Sequence, residues 1–306
     1  MAPASFVIAD VFTDKKFGGN QLAVFTDGRE IDSVAMQNIA REMNYSETTF
    51  LLPAESGGDF KVRIFTPRNE LPFAGHPLVG SAYVIAAEGL KQVRGPSARL
   101  TLETGAGLIN VDLAVENGRP GRTTMTQPLP RVTAVAPDQA VKPLADALGL
   151  EAADILGTEL PVEALSNGLT VLIVPTRSLK AIQSMQPDYD RLGQLSTQFG
   201  AETVLVFTTE TVSPNSTAHC RVFAPAAGVF EDAATGSANG PLGYYMVSHK
   251  LVEAEPVTRI ISEQGYEMNR PSTLFIEIDA VGGSGSVTAV RVGGDVVITG
   301  RGQILL

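Results

Sequence analysis

Four side chains with acid, base or hydroxyl chemistry fall in two stretches of this chain that read as copies of one module. Glu47 and His76 lie in the first stretch, Asp232 and Ser237 in the second. A carboxylate such as Glu47 can take a proton from carbon and return it at another carbon, an allylic shift that needs no cofactor. His76 can relay a proton or donate a hydrogen bond. Asp232 can orient His76 or a substrate amine, and Ser237 can donate to a carboxylate. Each residue also has a plainer reading. Glu47 can be an exposed strand-edge charge, His76 and Ser237 helix caps, and Asp232 a turn residue. No Ser-His-Asp spacing points to acyl transfer. His219 and His249 have no partners at metal-ligand spacing, so no metal is expected.

The first copy runs SETTFLL (46–52), VRIFTP (62–67) and AGHPLVGSA (74–82). The second runs AETVLVF (201–207), CRVFAP (220–225) and ATGSANGPLG (234–243). This alignment matches Glu47 with Glu202, Phe65 with Phe223, and Gly75-His76 with Gly236-Ser237. A duplication of this size predicts two similar lobes, with Glu47 in the cleft between them, the ordinary place for a ligand. Residues 77–88 and 241–251 are apolar on nearly all sides, the mark of buried helices. Pro77 is read as the first helical residue of one, and Thr235 as a hydroxyl cap at the start of the other. Free N–H groups at such starts bind anions. Gly75 and Gly236 are therefore expected to hold a carboxylate or enolate of a small anionic substrate.

The elements that position these groups are mostly strands. Helical periodicity is clear at 32–43, behind an Asp32 cap, and again at 190–199. Each half is expected to wrap a curled, largely antiparallel sheet around one central helix, an α+β fold of two pseudo-symmetric lobes. The polar segment 115–125 is the expected boundary. It gives an N-terminal lobe over 1–120, a C-terminal lobe over 121–292, and a final strand over 293–306 that returns to the first lobe. Other classes are disfavoured. A formal charge of −10 over 306 residues argues against a nucleic-acid partner. No segment is apolar for long enough to span a membrane, and the N-terminal apolar run lacks the basic flank of a secretory signal. The lone Cys220 forms no internal disulfide, which fits the cytoplasm. It reads as a small buried residue. The Gly-rich stretches 104–107 and 282–285 match neither a dinucleotide fingerprint nor a P-loop.

The stretches FGGNQLAVF (17–25), NYSETTFLLP (44–53), VRIFTPRNELPFAGHPLVGSA (62–82), RVFAPAAGVFEDAATGSANG (221–240) and ISEQGYEMNRPSTLFIEI (261–278) resemble the PhzF-type proteins, the phenazine-biosynthesis isomerases and their relatives. The resemblance covers nearly the whole chain. It implies the fold of diaminopimelate epimerase and suggests a homodimer. It also implies that Glu47 is the acid/base, with His76, Asp232 and Ser237 completing the catalytic set. Asn20 and Gln21 join Gly75 and Gly236 as substrate-binding positions. Related epimerases use two opposed cysteines, at places held here by Gly75 and Ser237, so two-thiol racemisation is excluded. Ala233 and Gln21 replace prolines usual in the family, and Gln21 adds an amide near the pocket. The expected function is a cofactor-independent isomerase that moves a proton within a small unsaturated carboxylate. The apolar run after Glu47 is expected to bring its pKa toward operating pH by desolvation. The alternatives are a non-catalytic binding or scaffold protein, and a racemase pairing Glu47 with a second base such as Asp232.

Overall fold

The central strands of this chain are apolar on both faces because helices cover the sheet there from inside and outside. In the strand Asn20–Phe25, residues 22–25 are all buried. The computed structural model describes residues 3–281 and 286–306, so the Gly-rich stretch 282–285 lies outside the described residues. The chain forms two compact units, Met1–Thr126 with Gly293–Leu306, and Gln127–Val292.

In the first unit the sheet runs, by neighbour, from Val296–Ile304 through Ala4–Val11, Asn20–Phe25, Glu47–Leu52, Phe60–Phe65 and Ser97–Thr104 to Gly107–Glu116. Two of these pairings are parallel, and each is bridged by a helix. The helix Ser33–Met43 lies outside and packs Met36, Ile39 and Ala40 on Phe25, Phe50 and Phe65. Phe25 stacks on Phe50 with centroids 4.8 Å apart, and Phe65 meets Phe50 edge to face at 5.5 Å. The helix Gly75–Ala87 lies inside and touches strands from both ends of the sheet, so the sheet curls around it.

The second unit repeats this order. Arg131–Val135, Glu163–Ser166, Thr170–Pro175, Thr203–Thr208, Ala218–Ala224, Val257–Gln264 and Ser272–Val281 pair in the same sequence of antiparallel and parallel neighbours. Its inner helix is Gly236–Ser248. The outer helices Asp138–Leu148, Leu179–Ser184 and Tyr189–Gln198 cover the other face with Leu144, Leu148, Ile182 and Leu192.

Several expectations need correction. The segment 115–125 is a hairpin rather than a linker, joining Gly107–Glu116 to Arg119–Gln127. Asn117 and Gly118 both have positive φ there (53° and 75°), as a two-residue hairpin turn demands. The inner helices begin earlier than their prolines suggest. Pro77 is the third residue of the first inner helix, not its first. Pro241 is interior to the second, which starts at Gly236. An interior proline orphans the carbonyl four residues earlier, here that of Ser237. The Asn167 side chain donates to that oxygen at 3.0 Å, and the neighbouring Gly236 carbonyl accepts from Gln127 Nε2 at 2.9 Å. The helix therefore runs through the proline.

Candidate active site

Asn20, Glu47 and His76 come together at the start of the first unit's inner helix. Glu47 opens the strand Glu47–Leu52 and pairs with Leu22 on the neighbouring parallel strand, two residues beyond Asn20. Asn20 follows Gly19, whose φ is +62°; a Cβ at Gly19 would meet the Val11 carbonyl oxygen at 2.3 Å. Only glycine lets the chain enter the strand by this route. His76, the second residue of the helix, is buried. Its Nδ1 lies 3.4 Å from Asn20 Nδ2, and its Nε2 lies 3.4 Å from Glu47 Oε2. The Glu47 side chain is 16% exposed. Burial pushes the imidazole down to about 3, against a raising hydrogen bond with the Gln21 backbone. The ring is therefore neutral at physiological pH. Its Nε2 makes no hydrogen bond in the structure, so the approach to Glu47 is not an ion pair. Gln21 follows Asn20 in the strand Asn20–Phe25 and is half-buried.

Asp232, Gly236 and Ser237 gather in the same way at the start of the second inner helix. Asp232 ends the short strand Val229–Asp232. The Thr235 hydroxyl does not cap the helix as expected. It donates to Asp232 Oδ2 at 2.5 Å, while the Thr235 carbonyl accepts from the backbone of Ala238 and Asn239. Beneath this turn lies Gln264, fully buried and not singled out from sequence. Its amide donates to the Asp232 carbonyl at 2.7 Å and to Thr235 Oγ1 at 3.0 Å. Its carbonyl accepts from Thr235 N at 3.1 Å and from Asn239 Nδ2 at 3.0 Å. Cys220 borders the cluster, fully buried, and desolvation pushes its thiol up to about 12. A thiol that holds its proton so tightly is not a base at physiological pH.

The two units can be compared position by position, and the register corrects one match made from sequence. Phe65 faces Thr48 across its strand pair, and Phe223 faces Val204. Thr203, not Glu202, therefore occupies the place of Glu47. A one-residue slip turns a side chain to the opposite face of a sheet. Glu202 is exposed, and its carboxylate accepts from the Thr170 backbone at 3.3 Å. The same register gives a true duplicated glutamate that sequence comparison missed. Glu103 pairs with Lys61 and Glu263 with His219 on equivalent strands. Glu103 accepts from the backbone N–H of Glu55, Ser56 and Gly58, and Glu263 from those of Val212 and Ser213. Both brace a loop. His219 is held between Glu263 at 2.8 Å and Glu267 at 3.0 Å.

An inner helix wrapped by a curled sheet, built twice with different polar groups at the two helix starts, is the architecture of the diaminopimelate-epimerase-like isomerases. A probable proline racemase from Agrobacterium radiobacter K84 shares it at a TM-score of 0.68 and 13% identity, covering 99% of this chain and 93% of that one, a likeness of fold alone. A Bacillus anthracis phenazine biosynthesis protein of the PhzF family is more similar, at a TM-score of 0.88 and 28% identity over 100% of both chains. A trans-2,3-dihydro-3-hydroxyanthranilate isomerase of Pseudomonas fluorescens is 38% identical over 302 residues, 99% of each chain. Residues 9–302 match the family described as phenazine biosynthesis-like protein, PhzC-PhzF. The chain belongs to that family and is an isomerase.

Proposed function

We propose that this isomerase moves a proton between two carbons of a small unsaturated carboxylate, with Glu47 as the single acid/base. The observation that carries this reading is the asymmetry of the repeat. Glu47 has Thr203 at its equivalent position, and His76 has Ser237. Racemisation through equivalent groups would need a base in each copy, whereas a shift within one substrate needs one. The carboxylate takes the proton, so a C–H bond breaks and an O–H bond forms on Glu47. The C–H electron pair forms a new double bond to the neighbouring carbon, the pair of the old double bond shifts to the far carbon, and that carbon takes the proton back as the O–H bond on Glu47 breaks. Neutral His76 and the Asn20 amide offer hydrogen bonds to the charge that develops on the substrate. The same turnover is proposed to use Asp232 and Ser237, with the Gly75 and Gly236 backbone N–H groups and Gln21 binding substrate. The named activity of the relatives makes trans-2,3-dihydro-3-hydroxyanthranilate the probe of choice. Conversion of this compound by the wild type, with a loss of about 10²–10⁴-fold in Glu47→Gln, is the expected result. Unchanged conversion by that variant contradicts the assignment. The family resemblance and the lone buried cysteine support a cytoplasmic homodimer, which sedimentation of the purified protein tests.

A further inference from the structure

The two copies of the module build the same helix start from different residues. The first uses Leu71 on the short strand, Ala74 at the N-cap position and Leu78 one turn into the helix. The second has Asp232, Thr235 and Asn239 at these places. The parallel pairing of Lys61 with Glu103 and of His219 with Glu263 then sets Gln264 opposite Thr104. The fold therefore forms with apolar residues at the places of Asp232, Thr235 and Asn239 and with the shorter Thr104 at that of Gln264, so this particular polar set is not needed to make the helix or the sheet.

Polar side chains placed where an apolar solution exists lower stability unless every group is bonded. Here the amide of Gln264 is fully bonded, and the bonds converge on one turn. Gln264 spends both amide hydrogens on Asp232 and Thr235, and its oxygen accepts from Thr235 and Asn239. Asn239 donates its second hydrogen to the Thr235 carbonyl at 3.0 Å. The Thr235 hydroxyl donates to the Asp232 carboxylate. Both the backbone and the carboxylate of Asp232 are thereby tied to a buried framework.

We infer that Gln264, Asn239 and Thr235 are positioning residues that hold the Asp232 carboxylate and the Thr235–Ser237 backbone in place for catalysis. This deepens the isomerase reading and rests on it. It predicts a particular pattern among variants. Thr235→Val keeps the shape of the side chain and loses the hydroxyl, and Gln264→Met keeps the length and loses the amide. Each is expected to lower kcat/KM for the dihydrohydroxyanthranilate probe by about 10²-fold, the cost of a small misplacement of a reacting group. Thr235→Ser restores the hydroxyl and is expected to restore turnover close to the wild-type value. Cys220→Val introduces the residue found at the matching place in the first copy, Val62, and is expected to leave turnover unchanged.

Crystal structures of Thr235→Val and Gln264→Met supply a readout independent of turnover, with a displaced Asp232 carboxylate and an intact inner helix as the expected result. Wild-type turnover in both variants, or an unmoved carboxylate, overturns the inference. So does an activity loss in Thr235→Ser equal to that in Thr235→Val. Should Gln264→Met fail to fold, the half-buried Thr235 pair decides the matter alone. A wild-type protein inactive on the probe, with Asp232 displaced in the variants, would exclude that compound as the substrate while leaving the positioning role in place.

Discussion

At the scale of single residues, the candidate site is defined by what differs between two copies of one module. Glu47 is adjacent to a histidine that burial keeps neutral, and this has a direct consequence. An ordinary histidine gains its proton near pH 6.5, whereas His76 is pushed down to about 3. Its ring resonances should be flat between pH 5 and 8 in an NMR titration, and any limb of the pH–rate profile in that range must come from another group. An inflection of the His76 resonances near 6.5 would contradict the neutral-ring account. The residues of this set were legible in sequence because their motifs are local. The false twin, Glu202, was not distinguishable from a true one, since pairing register decides which face a side chain takes and a one-residue slip leaves the local sequence looking alike.

At the scale of elements, each unit has an inner helix with candidate residues at its start, and each helix contains a proline near that start. Both helices were visible in sequence as all-round apolar segments, yet the start of the first was misplaced because Pro77 was read as its beginning, while the second starts after Thr235, the expected cap position. What permits Pro241 to sit inside its helix is the Asn167 amide, from a turn far away in sequence. Local pattern holds no trace of that bond. Replacing Asn167 by Leu leaves the Ser237 carbonyl buried without this donor. It should lower stability by about 1–3 kcal/mol, measured by chemical denaturation. An unchanged midpoint and slope would show that the helix needs no such support. The Gln264 framework escaped sequence reading for the same reason, since its partners lie 25 to 32 residues away. The Asn117-Gly118 hairpin is different, because its dipeptide signal was present and could have been used.

At the scale of the whole molecule, duplication supplies the architecture, and the repeat of strand order from one unit to the other was foreshadowed by the sequence repeat. Stability of the chain should depend on pH through its buried histidines. Burial alone would lower His219, but the hydrogen bonds its ring donates to Glu263 and Glu267 outweigh it and raise it to about 9. The folded state thus keeps a proton that the unfolded state sheds near pH 6.5. This contribution is complete below 6.5 and is lost as pH rises to about 9. His76 has the opposite sign: its unfolded form takes up a proton below 6.5 while the folded form refuses it, so its contribution falls as pH drops from 6.5 toward 3. In His219→Gln the decline in Tm between pH 6.5 and 9 should flatten, and a decline as steep as that of the wild type would contradict the pairing. The central claim, a proton shift by one carboxylate, is tested most directly by turnover in heavy water. Mass and NMR analysis of the dihydrohydroxyanthranilate product should show at most one solvent deuterium, located at the carbon that receives the proton, with product formation suppressed in Glu47→Gln. Product formed and labelled by Glu47→Gln at the wild-type rate would contradict the account.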